Sequence, residues 1–161
     1  MQVLKPDTLI RNPEGCLVVS QVAIPVPANR VWSIVGNFAG FAVFIPALSH
    51  IEMTGSGVRS IRKKFFKDNN FVIEQLNSRD DQAMTMTWSL IHTSLNIGNL
   101  WAAMEVKDLG DDRSQAVWTI QAEPWEGGGE ALPAFQAFLQ AFADEALGNV
   151  RNLPVSYTHL T

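Results

Sequence analysis

The chain has 161 residues, 47% of them hydrophobic and 17% charged, which is enough for one well-buried domain and too few for two comfortable ones. Twelve Lys+Arg against sixteen Asp+Glu leave a net charge of −4 with no concentrated basic run, which argues against nucleic acid or an anionic membrane surface as the partner. A single cysteine, Cys16, excludes an intramolecular disulfide and any CxxC or Cys-rich zinc site and fits a reducing, cytoplasmic setting.

Residues 1–15 read as a polar leader carrying Lys5, Pro6, Asp7, Arg11, Pro13 and Glu14, without the roughly 7–15 apolar residues of a secretory signal. No run of about 18 apolar residues suggests insertion into a membrane. Cys16–Ile24 is Val-rich and ends at Pro25, which predicts a strand. Pro27-Ala28-Asn29 opens a short helix in which Val31, Ile34 and Val35 share a face before Gly36-Asn37, and a second short apolar piece, Phe38–Ile45, ends at Pro46. From Ala47 to Ala122, strand-length runs alternate with turn clusters at 54–57, 67–70, 79–82, 93–98 and 108–112, predicting six sequential antiparallel strands. Beyond Glu123, Leu132, Phe135, Phe138, Leu139, Phe142, Ala146, Leu147 and Val150 follow helical spacing. They predict one long amphipathic helix, with Pro133 in its first turn. The last eight residues, 154–161 (PVSYTHLT), fit none of these patterns and read as a non-native tail.

Alternation along the strands assigns side chains to faces. If Asp68-Asn69 centres a two-residue hairpin turn, Ile61 lies opposite Leu76, Lys63 opposite Glu74 and Phe65 opposite Val72. That largely apolar face is the expected inner one, with Arg59 near its end. Met84, Met86, Trp88, Leu90 and His92 form the inner set of the next strand, and an odd-length turn at 80–82 with a bulge would bring Trp88 beside Glu74. The last two strands offer Leu100, Ala102, Met104 and Val106, then Ala116, Trp118, Ile120 and Ala122, to meet Phe135, Phe138, Leu139 and Phe142 of the helix. Nine Phe, five Trp and five Met could fill such a sheet completely or line a pocket. Trp101 falls on the opposite face, where a cluster of exposed aromatics would favour a homodimer.

Chemistry is sparse. His92, on the expected inner face, suits acid–base work near neutral pH, and Glu74 in a dry cavity suits proton abstraction unless Lys63 opposes it. His50 and Glu52 share a face without a third ligand, so no metal site is expected. Gly55-Ser56-Gly57 leads into a strand rather than a helix and reads as a turn, not a dinucleotide site. No cofactor is expected.

Several local signatures occur in order: Pro27-Ala28-Asn29-Arg30-Val31-Trp32, Val35-Gly36-Asn37-Phe38-Ala39-Gly40-Phe41, Ile45-Pro46, Gly57-Val58-Arg59-Ser60-Ile61, Glu74-Gln75-Leu76, 99–106 (NLWAAMEV) and 114–118 (SQAVW). Together they resemble the SRPBCC superfamily, the START-like or helix-grip fold, in its polyketide cyclase/dehydrase-like branch. The resemblance runs from Leu17 to Val150, with Phe44 where relatives often carry tryptophan and Asn99-Leu100 in place of a common Asn-Tyr. It implies an α+β helix-grip domain over residues 16–153: a curved antiparallel seven-stranded sheet around a long C-terminal helix, with two short helices after the first strand. It also implies a hydrophobic cavity for a polyketide-, lipid- or aromatic-like small molecule.

Resemblance and alternation together assign that cavity to Phe38, Phe41, Phe44, Arg59, Phe65, Trp88 and Leu90. Leu100, Met104, Trp118, Phe135, Phe138, Leu139 and Phe142 complete it. The family's cyclase chemistry would fall to Glu74, Lys63 and His92 as acid–base groups without a cofactor. A regulatory or chaperone-like role, as in some relatives, is the third expectation.

Overall fold

The computed structural model describes residues 4–7, 15–126 and 128–153; the expected tail, 154–161, lies outside them. Strand β1 (Cys16–Ile24) leads to helix α1 (Ala28–Val35) and a short 3₁₀ helix (Phe38–Val43). Then come β2 (Leu48–Thr54), β3 (Ile61–Phe66), β4 (Phe71–Asp80), β5 (Thr85–Thr93), β6 (Asn99–Gly110), β7 (Arg113–Glu123) and helix α2 (Gly128–Arg151). The strands form one seven-stranded sheet in the order β1-β7-β6-β5-β4-β3-β2, with every neighbouring pair antiparallel. This is the expected helix-grip architecture. Helix α2 starts at Gly128, so Pro133 falls in its second turn rather than its first.

The helix is held by an apolar stripe and a polar edge. Leu139, Ala143, Ala146, Leu147 and Val150 are buried. Along the edge facing β1, Gln136 and Gln140 donate to the Leu17 and Val19 carbonyls, and the Ser20 hydroxyl donates to Asp144 at 2.6 Å. Helix α1 ends where Gly36 approaches the Trp32 indole so closely that a Cβ would lie 2.5 Å from the ring.

Two turns decide which side chains face the helix. Between β3 and β4 the loop has three residues, 67–69: Phe66 N–H donates to the Asn70 carbonyl, Asn69 N–H donates to the Phe66 carbonyl, and Asn69 is left-handed at φ 75°. A type I turn closed by a left-handed residue adds one residue relative to a two-residue turn. The register therefore pairs Arg62 with Glu74, and Lys63 with Ile73. Every β3 side chain is thereby inverted from the two-residue expectation: Arg62 and Lys64 turn inward, while Ile61, Lys63 and Phe65 turn outward.

Between β4 and β5 the turn is even-length, four residues from 81 to 84, and a bulge at Asn77 restores phase so that Leu76 faces Trp88. Met86 and Trp88 thus point inward as expected, through a different route. A second bulge, at Ile91, places His92 opposite Ile73 on the outer side.

On the outer face, Asp7 packs against β4, β5 and β6. Asp7 accepts from the Trp101 indole N–H (2.5 Å), the Thr87 hydroxyl (2.6 Å) and the Asn77 amide (3.1 Å). Trp101 is on the outer face as alternation requires, yet it is 1% exposed. It therefore contributes nothing to an exposed aromatic cluster.

Candidate functional site: a cavity with a buried ionic wall

Between the sheet and α2 lies a partly open cavity of about 240 Å³. Trp88 of β5, Leu100 and Ala102 of β6, and Trp118 and Ile120 of β7 wall it from the sheet side, while Phe138, Leu139 and Phe142 close it from α2. Leu95 and Ile97 reach it from the β5–β6 loop, and Asp68 and Asn70 sit at the end formed by the β3–β4 turn. The apolar sets predicted for β6 and β7 supply this wall because their hairpin keeps one register through the sheet, with its irregularity confined to the tip between Asp108 and Gly110.

The opposite wall carries charge. Lys64 and Glu74 line the cavity, and Arg62 lies beneath them. Glu74 Oε1 accepts from Arg62 Nε at 2.8 Å and from Lys64 Nζ at 3.0 Å. Arg62 is fully buried: Nη1 donates to the Phe38 carbonyl at 2.8 Å, and the guanidinium carbon lies 3.9 Å from the Phe38 ring centre, 4.1 Å from Phe41 and 4.9 Å from Trp88. Aromatic faces are a favourable lining for a desolvated guanidinium.

Burial pushes the Glu74 carboxyl up, but attraction and hydrogen bonds from Lys64 and Arg62 outweigh it and hold it below its ordinary range. Burial pushes Lys64 down, and the attraction of Glu74 does not fully offset burial and the repulsion of Arg62. Glu74 is thus a carboxylate held ionised by its neighbours, better suited to fixing a cation than to removing a proton.

Of the predicted residues, Glu74, Trp88, Leu100, Trp118, Phe138, Leu139 and Phe142 meet around the cavity. Phe38, Phe41, Phe44 and Met104 are buried in the packed core beside it; Phe41 contacts Phe44, Trp88 and Trp118 with ring centres 4.8–6.0 Å apart. Leu90, opposite Glu74, and Phe135 pack partly buried against the same core.

Four predicted residues lie away from the cavity. Lys63 extends over Phe65 and Phe71 on the outer side, at 4.8 and 4.9 Å from their ring centres, because the three-residue turn inverts β3. Phe65 stacks there on His50 at 4.4 Å. Arg59 sits in the β2–β3 loop at φ 74°, its N–H donating to the Leu76 carbonyl. His92 is exposed and tilts against Phe71. Sequence reasoning missed Arg62 and Lys64, although Asn69, a residue tolerant of left-handed backbone, was the available sign of the longer turn.

A wider depression of about 480 Å³ lies outside, between α1 and the β2–β3 loop. Its charged groups, Arg79 and Asp81, are paired with each other at 2.8 Å and with the backbone of Gly36 and the indole of Trp32, so they offer little to a ligand. Among the described residues no group of three or more His, Cys, Asp or Glu side chains could hold a metal ion, and no helix is long and apolar enough to cross a membrane.

Solved structures share the fold at low identity. XoxI from Bacillus cereus superposes with a TM-score of 0.76 at 18% identity, over 84% of this chain and 92% of that one. Zhui aromatase/cyclase from Streptomyces sp. R1128 gives 0.69 at 15%, over 89% and 92%. The di-domain ARO/CYC BexL of the BE-7585A biosynthetic pathway gives 0.73 at 9%, over 84% of this chain and 45% of that one. A comparison with curated proteins finds no match. The family described as polyketide cyclase / dehydrase and lipid transport matches residues 16–153, nearly the whole described chain, and the protein belongs to that family.

Proposed function

We propose that this protein binds a hydrophobic small molecule, polyketide-, lipid- or aromatic-like, between the sheet and α2. The observation that carries this reading is the cavity of about 240 Å³ walled by Trp88, Leu100, Trp118 and Phe138. Burying apolar ligand surface there contributes about 25 cal/mol per Å² before ordering costs. Membership of a cyclase, dehydrase and lipid-transport family supports it, as do the aromatase/cyclases of the same fold.

Phe138 is the residue to test first. It lines the cavity yet is 56% exposed, so Phe138→Ala should weaken binding of a hydrophobic dye about tenfold, the loss of roughly 1–2 kcal/mol of apolar contact, while leaving the thermal midpoint nearly unchanged. Native mass spectrometry before and after denaturing extraction should show a co-purifying apolar molecule. A protein that is empty and takes up no dye would refute the reading.

A second reading, a cofactor-independent cyclase or dehydratase, is favoured by one observation: an ammonium and a carboxylate, Lys64 and Glu74, meet on the cavity wall. In this reading Lys64 polarises a substrate carbonyl while Glu74 holds it in place; His92 and Lys63, both outside the cavity, take no part. Turnover of a poly-β-carbonyl substrate that is lost in Lys64→Met would establish it, and unchanged turnover would remove it.

A further inference from the structure

We infer that the bound molecule carries an oxyanion, a carboxylate or an ionised enol or phenol, at one end of its apolar body, and that Lys64 receives it. The inference rests on the cavity reading above and adds the chemical class of the ligand.

The argument begins with charge. The buried cluster holds two cations and one anion, Arg62, Lys64 and Glu74, with side chains no more than 6% exposed. One oxygen, Glu74 Oε1, accepts from both cations. Charge taken out of water is strongly disfavoured unless it is compensated. The other buried acid, Glu123, belongs to the outward-facing set of β7, out of phase with Trp118, Ile120 and Ala122. Asp68, at the cavity's end, is exposed and committed to the Asn70 backbone N–H at 3.0 Å. Among the described residues, then, no second buried carboxylate answers the second cation.

The two cations are not equivalent. Arg62 is enclosed by Glu74, the Phe38 carbonyl and three aromatic rings, and it does not line the cavity. Lys64 does line it. Its one carboxylate partner, Glu74, is shared with Arg62, and burial still lowers the proton affinity of Lys64. Hydrogen-bonding capacity is skewed the same way: the two buried side-chain atoms without a partner among the described residues are donors, Arg62 Nη2 and the Trp118 indole nitrogen. A buried cluster with one more cation than carboxylates, presenting the Lys64 ammonium and the Trp118 indole N–H to an apolar chamber, selects an amphipathic molecule with an oxygen anion as its head.

The test uses naphthoate, its neutral isostere naphthamide and the hydrocarbon ethylnaphthalene, titrated by calorimetry into wild type and Lys64→Met. Wild type should bind naphthoate about tenfold more tightly than naphthamide, as expected when the ammonium's hydrogen bond is made to an anionic rather than a neutral oxygen. Lys64→Met should abolish that preference by weakening naphthoate far more than naphthamide, with ethylnaphthalene as the measure of the apolar contribution. Naphthoate should also shift the Lys64 Cε resonance of wild type where naphthamide does not, a readout that decides the matter even if the variant does not fold.

Equal wild-type affinities for acid and amide would overturn the inference while leaving the hydrophobic cavity intact, and so would an acid preference that survives Lys64→Met. Failure of all three probes to bind would instead remove the cavity reading and the inference with it.

Discussion

The β6–β7 wall presents Leu100, Ala102, Trp118 and Ile120 to the cavity, whereas the β3–β4 wall presents Lys64 and Glu74 above a buried Arg62. Both are antiparallel hairpins with the same inward alternation, so strand physics does not distinguish them. They differ in what their burial costs. The apolar wall gains free energy as it is covered. The ionic wall is costly to bury, and well-packed apolar residues of similar volume often replace such a cluster without loss of stability. An arrangement that burial disfavours, placed on the wall of a cavity, calls for an explanation in the ligand binding proposed above.

The sharpest way to break this contrast is to break the ionic wall unevenly. Glu74→Leu leaves Arg62 and Lys64 buried without their carboxylate and should cost about 3–5 kcal/mol in urea unfolding. The triple variant Arg62→Met, Lys64→Leu, Glu74→Leu should restore most of that loss while binding of naphthoate disappears. If the triple variant is as unstable as Glu74→Leu alone, the cluster is part of the fold's own stability and the functional explanation of its burial weakens.

A smaller effect is expected from pH. Because Lys64 and Arg62 hold Glu74 below its ordinary range, its contribution is fully present above the unfolded carboxyl value and is lost as pH falls through the lower, folded one. Lys64, pushed down by burial, acts at the other end: the unfolded chain holds that proton more tightly, so stability should rise as pH climbs toward the ordinary lysine range. Exposed carboxylates add to the acid limb, since Asp68 is lowered by the backbone amide of Asn70 and Asp81 by hydrogen bonds from Trp32 and Arg79. The difference between wild type and Glu74→Gln isolates the buried group. Parallel curves for the two proteins below pH 5 would show that Glu74 is not held ionised by its neighbours.

The two walls also differed in legibility. On β6–β7 the turn at Asp111-Asp112, both left-handed at φ 56° and 57°, is a two-residue connection whose irregularity stays at the tip, so plain alternation identifies the inner set. On β3–β4 one additional turn residue exchanges Lys63 for Lys64 and brings Arg62 opposite Glu74. Sequence alternation cannot see this, because Ile61-Arg62-Lys63-Lys64-Phe65-Phe66 carries apolar and basic residues on both faces and either parity satisfies the pattern. Bulges had the same power on β4–β5: the one at Asn77 preserved Trp88, and the one at Ile91 expelled His92. The long helix and the order of strands needed no such detail, since they follow from the change in hydrophobic period near Glu123 and the spacing of turn clusters.

The sheet's outer face extends the comparison to a single hydrogen-bonded carboxylate. There Asp7 gathers the Trp101 indole, Asn77 and Thr87, and Asn77 also donates to Ser89 at 2.6 Å. Unlike Glu74, Asp7 is exposed to water and has no cation as a partner among these contacts, so water can replace much of what it supplies. Asp7→Ala should therefore cost only about 1 kcal/mol, the net value of one ordinary hydrogen bond with the others resolvated. Its clearer signature is local: Trp101, now 1% exposed, should lose protection of its indole proton against hydrogen exchange while the Trp88 indole keeps its own. If both indoles exchange as in wild type, Asp7 does not shield Trp101 in solution. If both lose protection together, the carboxylate supports the whole sheet and the two faces are energetically coupled.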